Sequence, residues 1–509
     1  MKAKMLRRTF CATCLGVDAI TVVVEVDVTV GISFHLVGLP DSAVRESQQR
    51  IGTALTSVGA RIPGKKIIVN MAPADLKKEG SSFDLAIAVG ILAATGQYSF
   101  CNLNEFMILG ELALDGSLRP VSGALPIAEH AKKEGFKGCI FPGSSAGEAA
   151  EIDGIDVFGA DNLNEVISIL YGEGIILPVK HGDRVVRHSL SADIPDFSEI
   201  KGQAGAKRAL EIAAAGSHNI LLSGPPGAGK TFMAKALAGI LPKMTREESV
   251  ETSKIYSVAG KGALKDGLIT ERPFRSPHHS ASIYAIIGGG FNSRPGEISL
   301  AHNGVLYLDE IAEYPRGVLE VLRQPMEERC VSISRLKYKI TYPANFMLVA
   351  SMNPCPCGYY GQPGDKCSCT RFQIERYSAK LSGPLLDRID LLCDVNPVPA
   401  EHLISERLSE GSQAIRERVE RARAVQSKRF MGRISTNSQM SAGDLRHYCM
   451  VGRKEADFLS GAISKLGLSA RAYSRILKVA RTIADMESAQ NISVCHIAEA
   501  IQYRRVSNF

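Results

Sequence analysis

Residues 224–231 combine glycines, a lysine and a threonine at a spacing suited to phosphate groups. Glycines let backbone N–H groups approach phosphate oxygens, the lysine reaches the β- and γ-phosphates, and the threonine hydroxyl ligates Mg²⁺. A chance Gly/Pro turn is the alternative, but a strand pattern precedes the loop and a helix pattern follows it. The predicted nucleotide-binding residues of the loop are Gly224, Pro225, Pro226, Gly227, Ala228, Gly229, Lys230 and Thr231.

An apolar run at residues 305–308 ends in two acids, Asp309 and Glu310. If this run lies in the same sheet as the phosphate loop, both carboxylates lie beside the bound phosphates. Asp309 then holds the Mg²⁺ and Glu310 polarises the attacking water. Two acids after an apolar run are weak evidence alone. Together with the loop they predict a site that binds and hydrolyses ATP with Mg²⁺.

Three further polar residues suit the same chemistry. Asn353 follows another apolar run and is suited to position the lytic water, the sensor 1 role. Arg388 and Arg471 are predicted to stabilise the charge on a γ-phosphate, Arg388 from a neighbouring subunit and Arg471 in the sensor 2 role. An ordinary surface ion pair is the alternative at Arg388. Arginines that act between subunits imply a ring of identical chains.

Four cysteines form two close pairs on either side of a loop rich in glycine and proline: Cys355, Cys357, Cys367 and Cys369. Such a loop has little apolar material to bury, so another interaction must hold it. Four thiolates around Zn²⁺ would do so. An iron–sulfur cluster and free thiols are the alternatives. Cys11 and Cys14 have a similar spacing but no second pair nearby, so their spacing is interpreted as incidental.

These residues need a scaffold, and hydrophobic patterning divides the 509-residue chain into three blocks. Residues 1–175 mix strand and helix patterns irregularly, which predicts an α+β domain. Residues 176–197 are predicted to be a polar linker. Residues 198–400 alternate apolar strands with helices, which predicts a parallel sheet covered on both faces. Residues 401–509 have an almost entirely helical pattern.

The composition limits the cellular compartment and the classes of binding partner that are expected. With 45% hydrophobic and 22% charged residues, the chain is typical of a globular protein. No apolar run approaches the ~18 residues that cross a bilayer, and the basic N-terminus lacks the apolar core of a signal peptide. A cytoplasmic location without membrane attachment is expected. The net charge of +7 fits a polyanionic partner or, equally, a solvated basic helix face.

Longer segments resemble a known family over nearly the whole chain. Residues 37–46, 70–76, 274–282 and 295–310 are similar to the magnesium-chelatase-like AAA+ proteins, above all to the ComM/YifB group. The resemblance implies an α/β fold: an AAA+ P-loop module with a parallel sheet, preceded by an α+β Lon-protease-like domain and followed by an α-helical lid. It also implies a homo-hexamer with ATP and Mg²⁺ as cofactors.

The resemblance also implies DNA, single-stranded or branched, as the partner. Proteins of the ComM type are hexameric DNA helicases that promote branch migration during natural transformation. The family carries a helix-2 insert and a hairpin that line the ring pore, here at about residues 277–297 and 331–343. Arg335, Lys337 and Lys339 of the hairpin are predicted to contact the phosphate backbone. A purely structural role for both segments is the alternative.

The Lon-like domain departs from its protease pattern. Ser82 aligns with the nucleophile, but the position of the lysine base holds Leu125, and a serine without its base is a poor nucleophile. A non-proteolytic platform for ring assembly or DNA contact is therefore expected. The competing functions are a magnesium-chelatase-type motor acting on a tetrapyrrole enzyme complex and a protein-remodelling or proteolytic partner, the second of which Leu125 disfavours.

Overall fold

The computed structural model describes residues 6–180, 194–260, 267–290, 293–334, 339–362, 366–398 and 410–504. A seven-stranded sheet, a five-stranded sheet and a following group of helices organise these residues. No helix within them combines the length and the apolar character that a membrane span requires.

The first sheet mixes antiparallel and parallel strands. Its strands and the nearby short pair are β1 (Arg7–Leu15), β2 (Asp18–Thr29), β3 (Ser33–Val37), β4 (Lys66–Ala72), β5 (Phe106–Ile108), β6 (Glu111–Leu112), β7 (Leu118–Arg119), β8 (Gly138–Pro142) and β9 (Asp156–Ala160). The helices are α1 (Ser42–Ser57), α2 (Asp84–Thr95), α3 (Ala124–Lys133), α4 (Gly143–Ala149) and α5 (Leu163–Tyr171). The order of strands in the sheet is β3-β4-β2-β1-β5-β8-β9, and β6 pairs with β7.

Strand β2 illustrates why this sheet forms. Its valines alternate with polar residues, so Val22, Val24 and Val26 are buried while Glu25 and Asp27 remain partly exposed. Helix α2, apolar over almost its whole length, packs on β1 and β2. A β-carbon at Gly90 of α2 would lie 2.7 Å from Cγ2 of Val26, so a residue without a side chain permits this close approach.

The second sheet is parallel, with the order β11-β14-β17-β10-β18. The strands of this region are β10 (Ile220–Ser223), β11 (Phe274–Arg275), β12 (Gly288–Gly289), β13 (Arg294–Pro295), β14 (Val305–Leu308), β15 (Cys330–Ser334), β16 (Lys339–Pro343), β17 (Met347–Met352) and β18 (Leu391–Asp394). Its helices are α6 (Ala204–Gly216), α7 (Lys230–Ile240), α8 (Arg246–Ala259), α9 (Ile283–Ile287), α10 (Glu297–Leu300), α11 (Arg316–Val321), α12 (Arg323–Glu328), α13 (Arg371–Ser378) and α14 (Gly383–Leu386).

Both faces of the five-stranded sheet are buried. Ile220 and Leu222 of β10 pack on one face together with C-terminal helices, whereas Leu221 packs into a separate core on the other face. Because a strand points successive side chains to opposite faces, burial on both sides requires a continuous apolar run. The predicted parallel sheet is confirmed.

The C-terminal part of the described chain is helical: α15 (Ser412–Phe430), α16 (Ala442–Tyr448), α17 (Arg453–Leu466), α18 (Ala470–Met486) and α19 (Val494–Gln502). Helix α15 packs on α6, α7 and α18, so these helices share a core with one face of the sheet. The side-chain amide of Gln426 in α15 donates to the carbonyl of Ala215 at the end of α6, at 3.0 Å.

A buried polar network lies at the amino ends of β10 and β18. Asp390 accepts hydrogen bonds from the guanidinium of Arg475 in α18, at 2.9 Å, and from the backbone N–H of Asn219, at 3.1 Å. Its second oxygen also faces Nδ1 of His218, at 3.4 Å. The side chain of Asn219 bridges the carbonyl of Arg388 and the N–H of Leu348. The network thus joins the C-terminal helices to three strands of the sheet.

The two sheet regions meet through α3 and α8. The hydroxyl of Ser257 donates to Glu148 at 2.8 Å, and Lys254 forms an ion pair with Glu129 at 2.9 Å. The boundaries expected at residues 175, 197 and 400 stay predictions. Residues 181–193 of the predicted linker and residues 399–409 lie outside the described residues.

Candidate nucleotide and metal sites

The polar residues singled out by sequence follow three neighbouring parallel strands. Gly224 follows β10, Asp309 follows β14, and Asn353 follows β17. Because the carboxyl ends of parallel strands lie at one edge of a sheet, these residues converge. The convergence brings together a phosphate loop, two carboxylates and an amide.

The phosphate loop depends on its glycines. A β-carbon at Gly224 would collide with the carbonyl oxygen of Val395 on the neighbouring strand. Gly227 and Gly229 have φ of +78° and +86°, a region that other residues seldom occupy. Gly229 precedes the first turn of α7, so the N–H groups of that turn point toward the loop.

Lys230 folds back over the loop. Its ammonium donates to the carbonyl oxygens of Gly224 and Pro225, at 2.6 and 3.0 Å, and to Oδ1 of Asn353, at 3.0 Å. Burial lowers the pKa of Lys230, and the nearby carboxylates of Asp309 and Glu310 oppose that shift. These carbonyl and amide contacts hold the ammonium at the mouth of the loop, where a phosphate would meet it.

Asp309 lies in a network of hydroxyl groups. The hydroxyl of Thr231 donates to it at 2.9 Å and the hydroxyl of Ser351 also donates to it, while the hydroxyl of Tyr307 donates to Oγ1 of Thr231 at 3.2 Å. Burial alone would raise the pKa of Asp309, but these hydrogen bonds outweigh burial and lower it. The carboxylate is therefore ionised beside the threonine hydroxyl, and the two oxygens form a donor set suited to Mg²⁺.

Tyr307 and Ser351 are not among the residues predicted from sequence. Strand alternation is the signal that identifies the first, because Tyr307 and Asp309 are two positions apart and share a face. Ser351 lies on the adjacent strand, and only the pairing of β14 with β17 brings it to the site.

Glu310 has a left-handed backbone with φ of +48° and is exposed. Its N–H donates to Oγ of Ser351 and to Oδ1 of Asp309, both at 3.1 Å. A glutamate in this strained conformation costs on the order of 1 kcal/mol, so the surrounding hydrogen bonds must hold it. These hydrogen bonds fix the backbone conformation of Glu310, while its carboxylate remains accessible to solvent.

Arg388 and Arg471 lie close together and away from these contacts. Arg388 is mostly buried, forms an ion pair with Glu327 at 2.7 Å and donates to the carbonyl of Pro384. Its Nε is buried without a hydrogen-bond partner among the described residues. Arg471, at the start of α18, is exposed and lies 3.6 Å from Asp387, the residue before Arg388. Within the described part of the chain, neither guanidinium bonds to the phosphate loop, Asp309 or Glu310.

Strands β15 and β16 form the hairpin predicted to carry basic residues. Lys339 is exposed at the start of β16, whereas Arg335 and Lys337 lie outside the described residues. The hairpin packs on the glycine-rich insert, because the hydroxyl of Tyr342 donates to the carbonyl of Ser293 at 2.8 Å. Tyr284 of the insert is strongly exposed on the neighbouring surface.

The four clustered cysteines converge. The sulfur atoms of Cys355, Cys357, Cys367 and Cys369 all lie within 4.8 Å of one another, and this is the group of potential metal ligands found in the described residues. The backbone N–H of Tyr360 donates to the sulfur of Cys355 at 3.3 Å. A hydrogen bond from the N–H of Tyr359 lowers the pKa of Cys357. This hydrogen bond favours the thiolate of Cys357, the form that binds metal.

The residues aligned with a protease dyad do not form one. Leu125 is fully buried in the core of the first sheet region. Lys78 lies shortly before Ser82 in the sequence and is buried, but its ammonium donates to the carbonyl of Pro73. Ser81 donates to Glu111, which also pairs with Arg119 at 3.4 Å. No cationic partner for Ser82 is present among the described residues.

Three family models match the chain in succession. Residues 24–145 match subunit ChlI of Mg-chelatase, residues 196–403 match magnesium chelatase, subunit ChlI, and residues 409–504 match its C-terminal model. The three matches together extend across both sheets and the C-terminal helices.

Relatives match over nearly the full length. YifB of Escherichia coli, an uncharacterized protein, is 43% identical over 495 residues, which cover 97% of this chain and 96% of that protein. Competence protein ComM of Haemophilus influenzae is 44% identical over 500 residues and 96% of each chain. The magnesium-chelatase 67 kDa subunit of Heliobacterium mobile is 24% identical over 207 residues, 33% of this chain and 30% of that subunit. The chain belongs to the magnesium-chelatase-like AAA+ family, in the group that contains YifB and ComM.

Proposed function

We propose that this chain is an ATP-driven hexameric motor that moves on DNA and promotes branch migration and unwinding during recombination of incoming DNA, as in natural transformation. The observation that carries the proposal is the convergence of Lys230, Thr231, Asp309 and Asn353 at one edge of the parallel sheet. Full-length similarity to a protein named for competence supports the DNA part.

ATP hydrolysis follows from the roles that these positions suit. Lys230 binds the β- and γ-phosphates, while Thr231 and Asp309 hold the Mg²⁺. Glu310 polarises the attacking water, and Asn353 orients it. Lys230 and Asn353 are hydrogen-bonded at 3.0 Å, so the two groups lie close enough together to contact one γ-phosphate.

The ring is supported by the location of the two arginines. Arg388 and Arg471 are bound to Glu327 and Asp387 of their own chain and do not reach its phosphate loop. A γ-phosphate contact by these arginines therefore requires a second copy whose nucleotide site faces this surface. In a closed ring each chain supplies arginines to its neighbour.

DNA contact is assigned to the insert and the hairpin, which pack on each other. Lys339, with Arg335 and Lys337, supplies positive charge for the phosphate backbone, and the exposed ring of Tyr284 suits stacking on bases. The alternative is a magnesium-chelatase-type motor subunit that acts on a tetrapyrrole enzyme complex. The magnesium-chelatase 67 kDa subunit of Heliobacterium mobile matches a third of the chain at 24% identity, whereas competence protein ComM matches 96% of it at 44%, which favours the DNA motor.

The proposed cofactors are ATP and Mg²⁺, with Zn²⁺ at the four cysteines. Tetrahedral coordination by four thiolates is the commonest structural zinc site, and the four sulfurs lie close enough to share one ion. The metal would replace the apolar packing that the loop lacks.

The decisive experiment measures ATP turnover by the full-length chain with and without a four-strand DNA junction, together with unwinding of that junction. We expect DNA to stimulate turnover and the junction to be unwound only with ATP and Mg²⁺. A Lys230→Ala chain provides the blank for both assays. An ATP turnover rate that is the same with and without DNA, together with no unwinding, would reject the DNA motor. The chelatase-type motor would then be the better interpretation.

A further inference from the structure

The cysteine cluster and the nucleotide site share a boundary. Asn353, which accepts a hydrogen bond from Lys230, precedes Cys355 by two residues. The backbone of Asn353 lies beside the hydroxyl of Tyr377 and lowers its pKa, although burial outweighs this effect; Tyr377 is in α13, the helix that begins directly after Cys369 and Thr370. Asn353 is therefore held between the first cysteine and the helix that follows the last one.

The loop between the cysteine pairs also touches the phosphate loop. Gly358 has φ of +87°, and a β-carbon there would lie 2.6 Å from Cδ of Pro226. The same β-carbon would lie 3.9 Å from Cγ of Asn353. The backbone of Gly358 thus lies in van der Waals contact with the proline that shapes the phosphate loop and close to the amide that contacts Lys230.

Apart from Pro354, Cys355 and Gly358, which are buried, the described residues of this segment bury little apolar surface. Cys357, Cys367 and Cys369 are partly exposed, Tyr359 and Tyr360 are exposed, and the turn is fixed locally by the hydrogen bond from the N–H of Gly358 to the carbonyl of Cys355, at 3.0 Å. A tetrathiolate ion supplies the missing cross-link, because it ties both ends of the segment to one point.

We infer that the metal held by the four cysteines controls nucleotide binding, by fixing Gly358 against Pro226 and Asn353 against Lys230. The inference rests on the proposed ATP and zinc sites, and it states that the contacts of Gly358 and Asn353 connect the two. With the metal bound, the phosphate loop and Asn353 are held in the binding geometry. Without the metal, the two cysteine pairs are no longer cross-linked, and Gly358 and Asn353 are no longer held against the phosphate loop.

The first test removes the ligands. Zn²⁺ content is measured per chain, and a fluorescent ADP analogue is titrated with Mg²⁺, for the wild-type chain and for Cys367→Ser/Cys369→Ser. The wild type is expected to hold one Zn²⁺, whereas the variant loses the metal and binds nucleotide about tenfold more weakly. Cys101→Ser, which removes an exposed thiol distant in sequence, is the control that keeps both properties.

The second test leaves every thiol in place. Gly358→Ala introduces a β-carbon that collides with Pro226, whereas Gly361→Ala introduces one with no atom within 4 Å, at a similar φ of +75°. Both chains are expected to hold one Zn²⁺, but only Gly358→Ala should weaken nucleotide binding, again by about tenfold. This pair decides the question even if the double cysteine variant does not fold.

The outcomes separate the inference from the proposed function. A wild-type chain without bound metal, or a Gly358→Ala chain that binds nucleotide like the wild type, overturns the inference while the ATP site stands. Equal losses in Gly358→Ala and Gly361→Ala also overturn it, because strain in the loop rather than contact with Pro226 would then be the cause. A wild-type chain that holds Zn²⁺ but binds no nucleotide would instead reject the proposed ATP site.

Discussion

The seven-stranded and five-stranded sheets are both built from buried strands covered by helices, but they differ at the ends of those strands. Strands β10, β14 and β17 are followed by Gly224, Asp309 and Asn353, which converge in one polar site. In the first sheet β5 is followed by the buried Leu109, and Leu125 fills the position of a lysine base. Similar layers thus support a chemical site in one region and a packed scaffold in the other.

Each region contains a buried aspartate–arginine pair, but the pKa of the aspartate is shifted in opposite directions. Burial alone would raise the pKa of Asp390, but the charges of Arg475 and Lys478 and the hydrogen bond with His218 hold it well below its usual range. Asp84 pairs with Arg50 in the first region, at 2.7 Å, yet burial outweighs the arginine and raises the pKa of Asp84 to about 6. The charges around the carboxylate decide which effect wins, because two cations face Asp390 whereas the acidic Glu111 offsets part of the effect of Arg50 on Asp84.

The largest expected difference between the regions is catalytic. Lys230→Ala should reduce ATP turnover by about 10³-fold, because the ammonium that meets the developing phosphate charge is lost. Ser82→Ala, in the first region, should leave turnover unchanged. Steady-state ATPase assays on both full-length variants check this. A loss of ATP turnover in Ser82→Ala would contradict the expected difference between the two regions, because it would give the first region a role in the chemistry.

A matched pair of glutamates sharpens the contrast. Glu310→Gln should slow hydrolysis by about 10²-fold while nucleotide still binds, because the amide no longer polarises the water. Glu111→Gln, which alters the carboxylate beside Ser81, should turn over ATP at the wild-type rate. Single-turnover hydrolysis together with nucleotide titration separates the chemical step from binding. Equal rates in the two variants would contradict the role assigned to Glu310.

Removal of the Asp390 charge should be the larger of two effects on stability. Asp390→Asn leaves Arg475 buried without its carboxylate, which costs about 3 kcal/mol. Because the folded pKa of Asp390 is lowered, its contribution is present above the unfolded pKa and is lost as pH falls through the folded pKa. The shift in melting temperature should therefore be constant between pH 5 and pH 8. Thermal unfolding followed at both pH values measures it, and a shift that disappears at pH 5 would contradict the prediction.

The smallest effect is expected at Asp84. Its folded pKa is raised to about 6, so its contribution is fully present below the unfolded pKa and is lost as pH rises through about 6. The stability of Asp84→Asn relative to the wild type should therefore improve by about 1.4 kcal/mol from pH 5 to pH 8. The same melting experiment tests this opposite trend. A constant difference over that range would show that Arg50 keeps the carboxylate ionised throughout.

Local patterns predicted much of the nucleotide site. The strand at residues 305–308 and the helix that begins with the loop lysine are present as β14 and α7, because their apolar periodicity and glycines act over short distances. Lys230, Thr231, Asp309 and Asn353 lie together as expected for residues at the ends of parallel strands. Alternation along β14 could have identified Tyr307, whereas the sequence carries no signal for Ser351, because only the pairing of β14 with β17 brings it to the site.

The sequence by itself determined the residue types and spacings that bind phosphate, the two acids after a buried strand, the four clustered thiols and the absence of a lysine at Leu125. Only the tertiary structure decided that Arg388 pairs with Glu327, that Asp390 joins the C-terminal helices to the sheet, and that Gly358 rests on Pro226. Periodicity and turn chemistry act between near neighbours in the chain. Contacts between distant residues depend instead on which strands pair and which helices pack, and the whole folded chain fixes that choice.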